Sequence, residues 1–225
     1  MSSIQVNDHA LINKIISDSE FPYLISFPRT GSHWLRMVME LYFEIPSLVR
    51  IFYFKDATRF TCYHRHDDDL SVTRKNVLYL YRHPVDTVYS QMNYYCEDPF
   101  DTVRIEHWAT LYGRHLRKWL IEESFTKKKT ILMYEGMKKD MNQEFKKVCD
   151  HFNQIIDYEK LDKAVKTVTK EEVKNKTTHD QQVINKSIDY EKLRLAFAIK
   201  YGRKISEIVF NIDNRLENHL NIRFY

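Results

Sequence analysis

Tyr23-Leu-Ile-Ser-Phe-Pro-Arg-Thr-Gly-Ser-His-Trp-Leu-Arg36 is the stretch from which the fold of this chain is read. Tyr23 to Phe27 is a short apolar run of β-forming side chains, as a buried strand requires. Pro28 ends it, and Gly31 permits a turn that other residues resist. Apolar residues then recur at helical spacing, at Leu35, Val38, Met39 and Tyr42. A strand that feeds a helix through such a turn aims main-chain N–H groups at one point, which makes an anion site. Arg29 adds a permanently charged fork that matches phosphate oxygens. The loop is not a Walker A sequence, which places Gly-Lys-Ser/Thr four residues after its first glycine. An ordinary turn with a surface arginine is the simpler alternative.

Val77-Leu-Tyr-Leu-Tyr-Arg-His-Pro-Val-Asp-Thr-Val-Tyr-Ser90 repeats the plan. Pro84 suits a helix start, and Asp86 complements the dipole of the first turn. Capping explains both, but not why an arginine, Arg82, ends a buried strand. Arg82 and Ser90 can face a second phosphate together. Thr130 to Tyr134 reads as a third strand. Helices are expected over 8–17 (Leu11, Ile12, Ile15 and Ile16 on one side), 34–43, 103–123, 138–152, 190–200 and 206–216. Asp157 is an expected N-cap, and Thr169-Lys-Glu-Glu172 matches a capping box. Residues 46–75 read as irregular and polar, and Lys127–Lys129 as a solvated turn. Strands alternating with helices predict an α/β fold. Its central parallel sheet is flanked by helices, and its C-terminal part is helical. Ligands in such folds bind at the carboxyl ends of the strands.

The 225 residues suit one domain spanning 1–225, and a hydrophobic share of 43% is enough for a core. A net charge of +4 is too mild for a dedicated nucleic-acid binder but suits an anionic cofactor. Cys62, Cys96 and Cys149 lack metal-ligand spacing and read as reduced thiols of a cytoplasmic protein. The first residues do not read as a signal peptide. No apolar run approaches the roughly 20 residues of a membrane span.

Pro28-Arg-Thr-Gly-Ser-His-Trp-Leu35 resembles the 5′-phosphosulfate loop of the sulfotransferases that use 3′-phosphoadenosine-5′-phosphosulfate (PAPS). Their typical form is Pro-Lys-Ser-Gly-Thr-Thr-Trp-Leu, and bacterial members often carry Arg for Lys. The second stretch resembles their 3′-phosphate segment, Arg-x-Pro-x-Asp-x-x-x-Ser. Arg82, Pro84, Asp86 and Ser90 stand at every fixed position. Tyr134-Glu-Gly-Met137 is a weaker likeness of their Tyr-Glu-Asp-Leu/Met, with Gly136 replacing Asp. The resemblance spans about residues 21–155. It implies a P-loop-like three-layer fold, PAPS as donor and adenosine 3′,5′-bisphosphate (PAP) as product, with no metal. It implies that Arg29, Thr30, Gly31, Ser32, His33, Trp34, Arg82, Ser90 and Tyr134 bind the cofactor. Trp34 and Tyr134 would lie near the adenine, Trp34 with the stronger claim, and core packing is the alternative for each.

In this chemistry an acceptor hydroxyl attacks sulfur in line, and the enzyme mainly positions groups and stabilises the leaving oxygen. Arg29 is the expected stabiliser. The family places a histidine base between its two phosphate segments, often as Lys-Thr-His, or as His-Asp in bacterial members. Tyr63-His-Arg-His-Asp-Asp-Asp69 offers His64 and His66, and His66-Asp67 makes His66 the preferred base. Asp67–Asp69 reads as a solvated loop or substrate contact. The late Arg-Lys-Gly segment of the cytosolic enzymes is missing; Lys174, Lys176, Arg203 and Lys204 are unranked substitutes. The series Lys160, Lys163, Lys170 and Lys174 reads as a solvated face. The expected acceptor is a hydroxyl, or less readily an amine, of a small molecule or glycan, and composition does not choose among a sugar, a phenol, a lipid head group and a peptide. Aromatic residues near 42–63 and 92–100 are candidates for its pocket. Two rivals stand beside this reading: a P-loop-like ATP-dependent small-molecule kinase and a non-catalytic nucleotide-binding module. The sequence sets no oligomeric state.

Overall fold

The computed structural model describes residues 2–124, 126–178 and 189–220. In chain order the first elements are β1 (Ile4–Gln5), α1 (His9–Ile16), β2 (Tyr23–Ser26), α2 (Ser32–Phe43), β3 (Arg50–Ile51), β4 (Tyr63–Arg65) and β5 (Asn76–Tyr81). Next come α3 (Pro84–Tyr94), α4 (Thr102–Leu116), a π-helical turn (Arg117–Ile121), β6 (Lys128–Met133), α5 (Tyr134–Lys139) and α6 (Met141–His151). The helical remainder is α7 (Tyr158–Thr167), α8 (Lys170–Lys176), α9 (Tyr190–Ile212) and α10 (Leu216–Leu220).

Among the described residues, the main sheet runs in the order β4-β2-β5-β6 and every pairing is parallel. The period of two along β5 divides its side chains between two cores. Leu78 and Leu80 join Leu24 and Leu132 against α2, α6 and α7. Val77, Tyr79 and Tyr81 join Ile25 against Tyr112 and Leu116 of α4, Trp119 of the π turn and Val209 of α9. A third cluster packs α3, α4 and α9 together through Val88, Tyr89, Ile105, Phe197 and Ile205. The fold is therefore the expected P-loop-like three-layer α/β arrangement with a helical C-terminal part.

The chain leaves β2 toward the edge strand β4 and then returns to β5 on the other side of β2. The order reverses at β2, so the loops after β2 and β5 diverge and leave a crevice at their carboxyl ends. These are the loops that begin at Pro28 and Arg82.

Several boundaries differ from the sequence expectation. Residues 46–75 are not all irregular, because Tyr63–Arg65 forms β4 against β2. Three residues on an edge carry too little apolar signal to be read as a strand. Lys127–Lys129 is not simply a solvated turn: Lys128 and Lys129 begin β6, and their ammonium groups reach the carbonyls of His151 and Glu122. The helix expected over 138–152 is two helices, with an extended Asp140 whose carboxylate caps Gln143 N at 3.0 Å. The two late helices are one helix, α9, of 23 residues. It runs through Gly202, which lies 3.9 Å from Val85 of α3 when measured from the position of an added Cβ. The expected caps at Asp157 and Thr169 are present, and Asp8 caps α1 in the same way, each accepting from a main-chain N–H three residues on.

Candidate functional site

A cleft of about 1350 Å³ opens at the carboxyl ends of β2 and β5. Its floor is the junction of β2 and α2, where Arg29 has φ 70° and Gly31 has φ 94°. A Cβ on Gly31 would meet Tyr134 Cδ2 at 2.5 Å. Glycine is thus required both by the left-handed turn and by the aromatic ring lying on it. Helix α2 opens from Gly31 with no side-chain cap and no acidic residue in its first turn. The first amides of a helix have no acceptor within it, so this end suits an anion.

Of the expected site residues, Arg29, Gly31, Ser32, His33, Trp34, His66, Arg82, Ser90 and Tyr134 line the cleft. Thr30 and His64 are not among the described lining residues. The Thr30 side chain is fully buried, and its hydroxyl donates to the Phe27 carbonyl at 2.8 Å, bracing the loop from inside.

Arg29 and Arg82 come from different strand ends and meet. Arg29 Nε donates to Ser90 Oγ at 3.3 Å, and Arg82 Nη1 donates to the Arg29 carbonyl at 3.2 Å. The Arg29 guanidinium also lies over the Tyr94 ring, 4.9 Å from its centre. Tyr112 clamps the main chain of Arg82, accepting from its N–H at 3.0 Å and donating to its carbonyl at 2.7 Å. Glu135 and Asp86 pair with the Arg82 guanidinium at 3.9 and 4.0 Å. Burial raises the Glu135 carboxyl above its usual range, against the pull of Arg82 and the His83 N–H. Trp34 and Tyr134 stand edge to face with ring centres 6.0 Å apart, and the Arg82 guanidinium lies 4.9 Å from the Tyr134 ring centre. Two aromatic faces beside two guanidinium groups can hold a flat base next to phosphates.

The two histidines have different surroundings. His66 Nδ1 lies 2.6 Å from the Ser26 carbonyl. A carbonyl only accepts, so Nδ1 carries the proton and Nε2 is left as the acceptor of the neutral ring. His64 Nε2 is engaged by Ser26 Oγ at 3.0 Å, and its ring packs edge to face on His66 at 4.9 Å. Burial depresses the pKa of both rings, that of His64 the more strongly, with Arg36 adding to the effect in each. Both are neutral at pH 7.

Asp67 departs from the solvated loop expected of it. Its carboxylate is buried and accepts from both arms of Arg74 at 3.1 Å. Asp69 accepts from Ser71 instead. No group of three or more His, Cys, Asp or Glu residues is arranged to hold a metal among the described residues. Tyr94 and Tyr95 line the cleft, whereas Tyr42 and Phe52 from the other aromatic stretch are core residues.

Sequence reasoning missed Arg194 and Lys138, and read Lys170 as part of a solvated face; all three line the cleft. Arg194 projects from α9, and its Nη1 pairs with Asp86 Oδ1 at 2.7 Å. No pattern in the sequence connects those two residues. Lys174 lines the cleft as well, so the lysine series around it is not merely a solvated face. Of the other substitutes considered, Lys176 is turned to the Phe52 carbonyl, Arg203 pairs with Glu207, and Lys204 pairs with Glu106.

The family model described as the sulfotransferase domain matches residues 58–208. That is more than half of the 225 residues, and the chain belongs to the sulfotransferase family. The matched span begins after the β2–α2 loop. A solved structure of mouse sulfotransferase SULT7A1 complexed with PAP superposes with a TM-score of 0.63 at 19% identity. The alignment covers 95% of this chain and 92% of the mouse one, a likeness of fold. No curated protein matches the chain in sequence. No helix among the described residues is long and apolar enough to cross a membrane.

Proposed function

We propose that this protein is a PAPS-dependent sulfotransferase, a single cytoplasmic domain acting without a metal on the hydroxyl or amine of a small molecule or glycan. One observation carries the reading: the bond from His66 Nδ1 to the Ser26 carbonyl, which leaves Nε2 as a neutral acceptor on a cleft shared with Arg29 and Arg82. The 5′-phosphosulfate lies on the β2–α2 loop. Arg82 and Ser90 take the 3′-phosphate, and Trp34 and Tyr134 flank the adenine. The acceptor oxygen attacks sulfur while its proton passes to His66 Nε2. The bond from sulfur to the bridging oxygen breaks, and its electron pair stays on the phosphate, giving PAP. Arg29 stabilises the charge that develops there, which matters most in the transition state. The PAP held by the mouse sulfotransferase of similar fold supports the choice of nucleotide.

Calorimetry with PAP, AMP and ATP–magnesium, followed by turnover of His66→Ala and His64→Ala, tests this reading. PAP is expected to bind tightest. His66→Ala is expected to lose about 10²–10⁴-fold in turnover with PAP binding kept, since general-base catalysis contributes roughly that factor. His64→Ala has the milder effect. Only the unprotonated ring accepts a proton, so turnover falls as pH drops through the His66 pKa. Burial lowers that pKa from 6.5, so the acid limb lies below pH 6.5. Preference for ATP–magnesium, or an active His66→Ala, rejects the proposal.

A further inference from the structure

His115 stands in the last turn of α4 and is buried. Both its ring nitrogens are engaged. Nε2 lies 2.8 Å from the main-chain carbonyl of His66, and Nδ1 lies 3.0 Å from the hydroxyl of Tyr79. The carbonyl only accepts, so Nε2 carries the proton, Nδ1 accepts, and the fully buried Tyr79 of β5 donates. Burial pushes the His115 pKa down to about 3, so this tautomer stays uncharged near neutral pH.

The segment that follows His66 is held in the same way. Asp67 has φ 47° and is locked by Arg74. Lys118, in the π turn that continues α4, donates to the carbonyls of Leu70 and Val72. Such π turns are common at functional sites. His66 is thus anchored twice, its ring to the Ser26 carbonyl and its main chain to His115. Two anchors on different sides of the residue restrict the direction of the ring more than either does alone.

We propose that His115 is a positioning residue, which fixes the direction of the His66 Nε2 lone pair by holding the main chain of His66 against α4. This rests on the reading of His66 as the base. Precise orientation is worth having, because a displacement of about 1 Å can cost roughly 10²-fold in rate.

The test compares His115→Leu, which removes the N–H, with His115→Gln, whose terminal amide can offer an N–H where Nε2 stood. In His115→Leu, turnover is expected to fall by up to about 10²-fold, with PAP affinity and the Michaelis constant for PAPS unchanged. His115→Gln is expected to recover most of the loss. Nitrogen-15 NMR of histidine-labelled protein with PAP reads the ring directly, its His66 signals assigned by their loss in His66→Ala. The Nδ1–H tautomer is expected alone in the wild type and His115→Gln, and averaged with the other tautomer in His115→Leu. Should His115→Leu fail to fold, Tyr79→Phe, which only loosens the His115 ring, is expected to show the same change at smaller size. Wild-type turnover and an unaltered His66 signal in the loosened variant overturn the proposal. So does a folded, PAP-binding His115→Gln as impaired as His115→Leu. An active His66→Ala instead removes the reading of the base, while the His66 signal still decides whether His115 holds it.

Discussion

The two strand-to-helix junctions at the cleft look alike in sequence and are built differently. At Pro28–Trp34 the main chain itself is unusual, with left-handed φ at Arg29 and Gly31 and a helix that starts without an acidic residue. At Arg82–Ser90 no residue has positive φ, Pro84 opens the helix, and Asp86 answers its dipole. The first junction offers main-chain N–H groups and a bare helix end. The second offers individual side chains, with Arg82 held between Glu135 and Asp86. An anion at the first would be recognised by backbone shape, and one at the second by Arg82 and Ser90.

Under the proposed roles, substitutions at four positions break or sharpen this contrast. The largest effect is expected from Arg29→Ala, a loss in turnover of about 10²–10³-fold, the range for removing one preorganised donor. PAP affinity should change far less, and Arg29→Lys should keep appreciable activity. Steady-state kinetics beside calorimetry checks this; a normal turnover with a raised Michaelis constant would make Arg29 a binding residue only.

Arg82→Ala comes next. A charged hydrogen bond is worth roughly 1.5–3 kcal/mol, so PAP should weaken about tenfold or more while AMP, lacking the 3′-phosphate, barely changes. Ser90→Ala should act in the same direction and less strongly. Equal weakening of PAP and AMP would erase the distinction between the junctions.

Gly31→Ala is expected to have the least selective effect. The new methyl group meets Tyr134, and φ 94° is strained for alanine, at a cost of about 1–3 kcal/mol. PAP and AMP should therefore weaken together, with a lowered melting temperature, because both carry the 5′-phosphate. Selective loss of PAP would show that the first junction also reads the 3′ end.

Much of this was legible because its signals are local. Pro28, Arg29 and Gly31 stand within four residues, so apolar run, stop and turn appear side by side. Arg82 stands between β5 and α3, and Asp86 and Ser90, four residues apart on α3, share a helix face. Strand β4 was not legible, since Tyr63-His-Arg65 is stabilised by pairing with β2 rather than by its own pattern. The gap expected between residues 200 and 206 is absent, because α9 packs continuously against α3 and α4.

The sequence by itself determined the α/β class, the two arginine-bearing junctions and the histidine pair between them, since each depends on neighbours along the chain. Only the tertiary structure gave His66 and His64 their different partners, through one Ser26 that offers its carbonyl to the first and its hydroxyl to the second, some 40 and 38 residues away. It alone brought His115 to His66 across 49 residues and Arg194 to Asp86 across 108. Such partners are set by how the helices close over the sheet. Hydrogen bonds between buried polar groups leave no periodic trace in sequence, because any donor at the right point in space satisfies them.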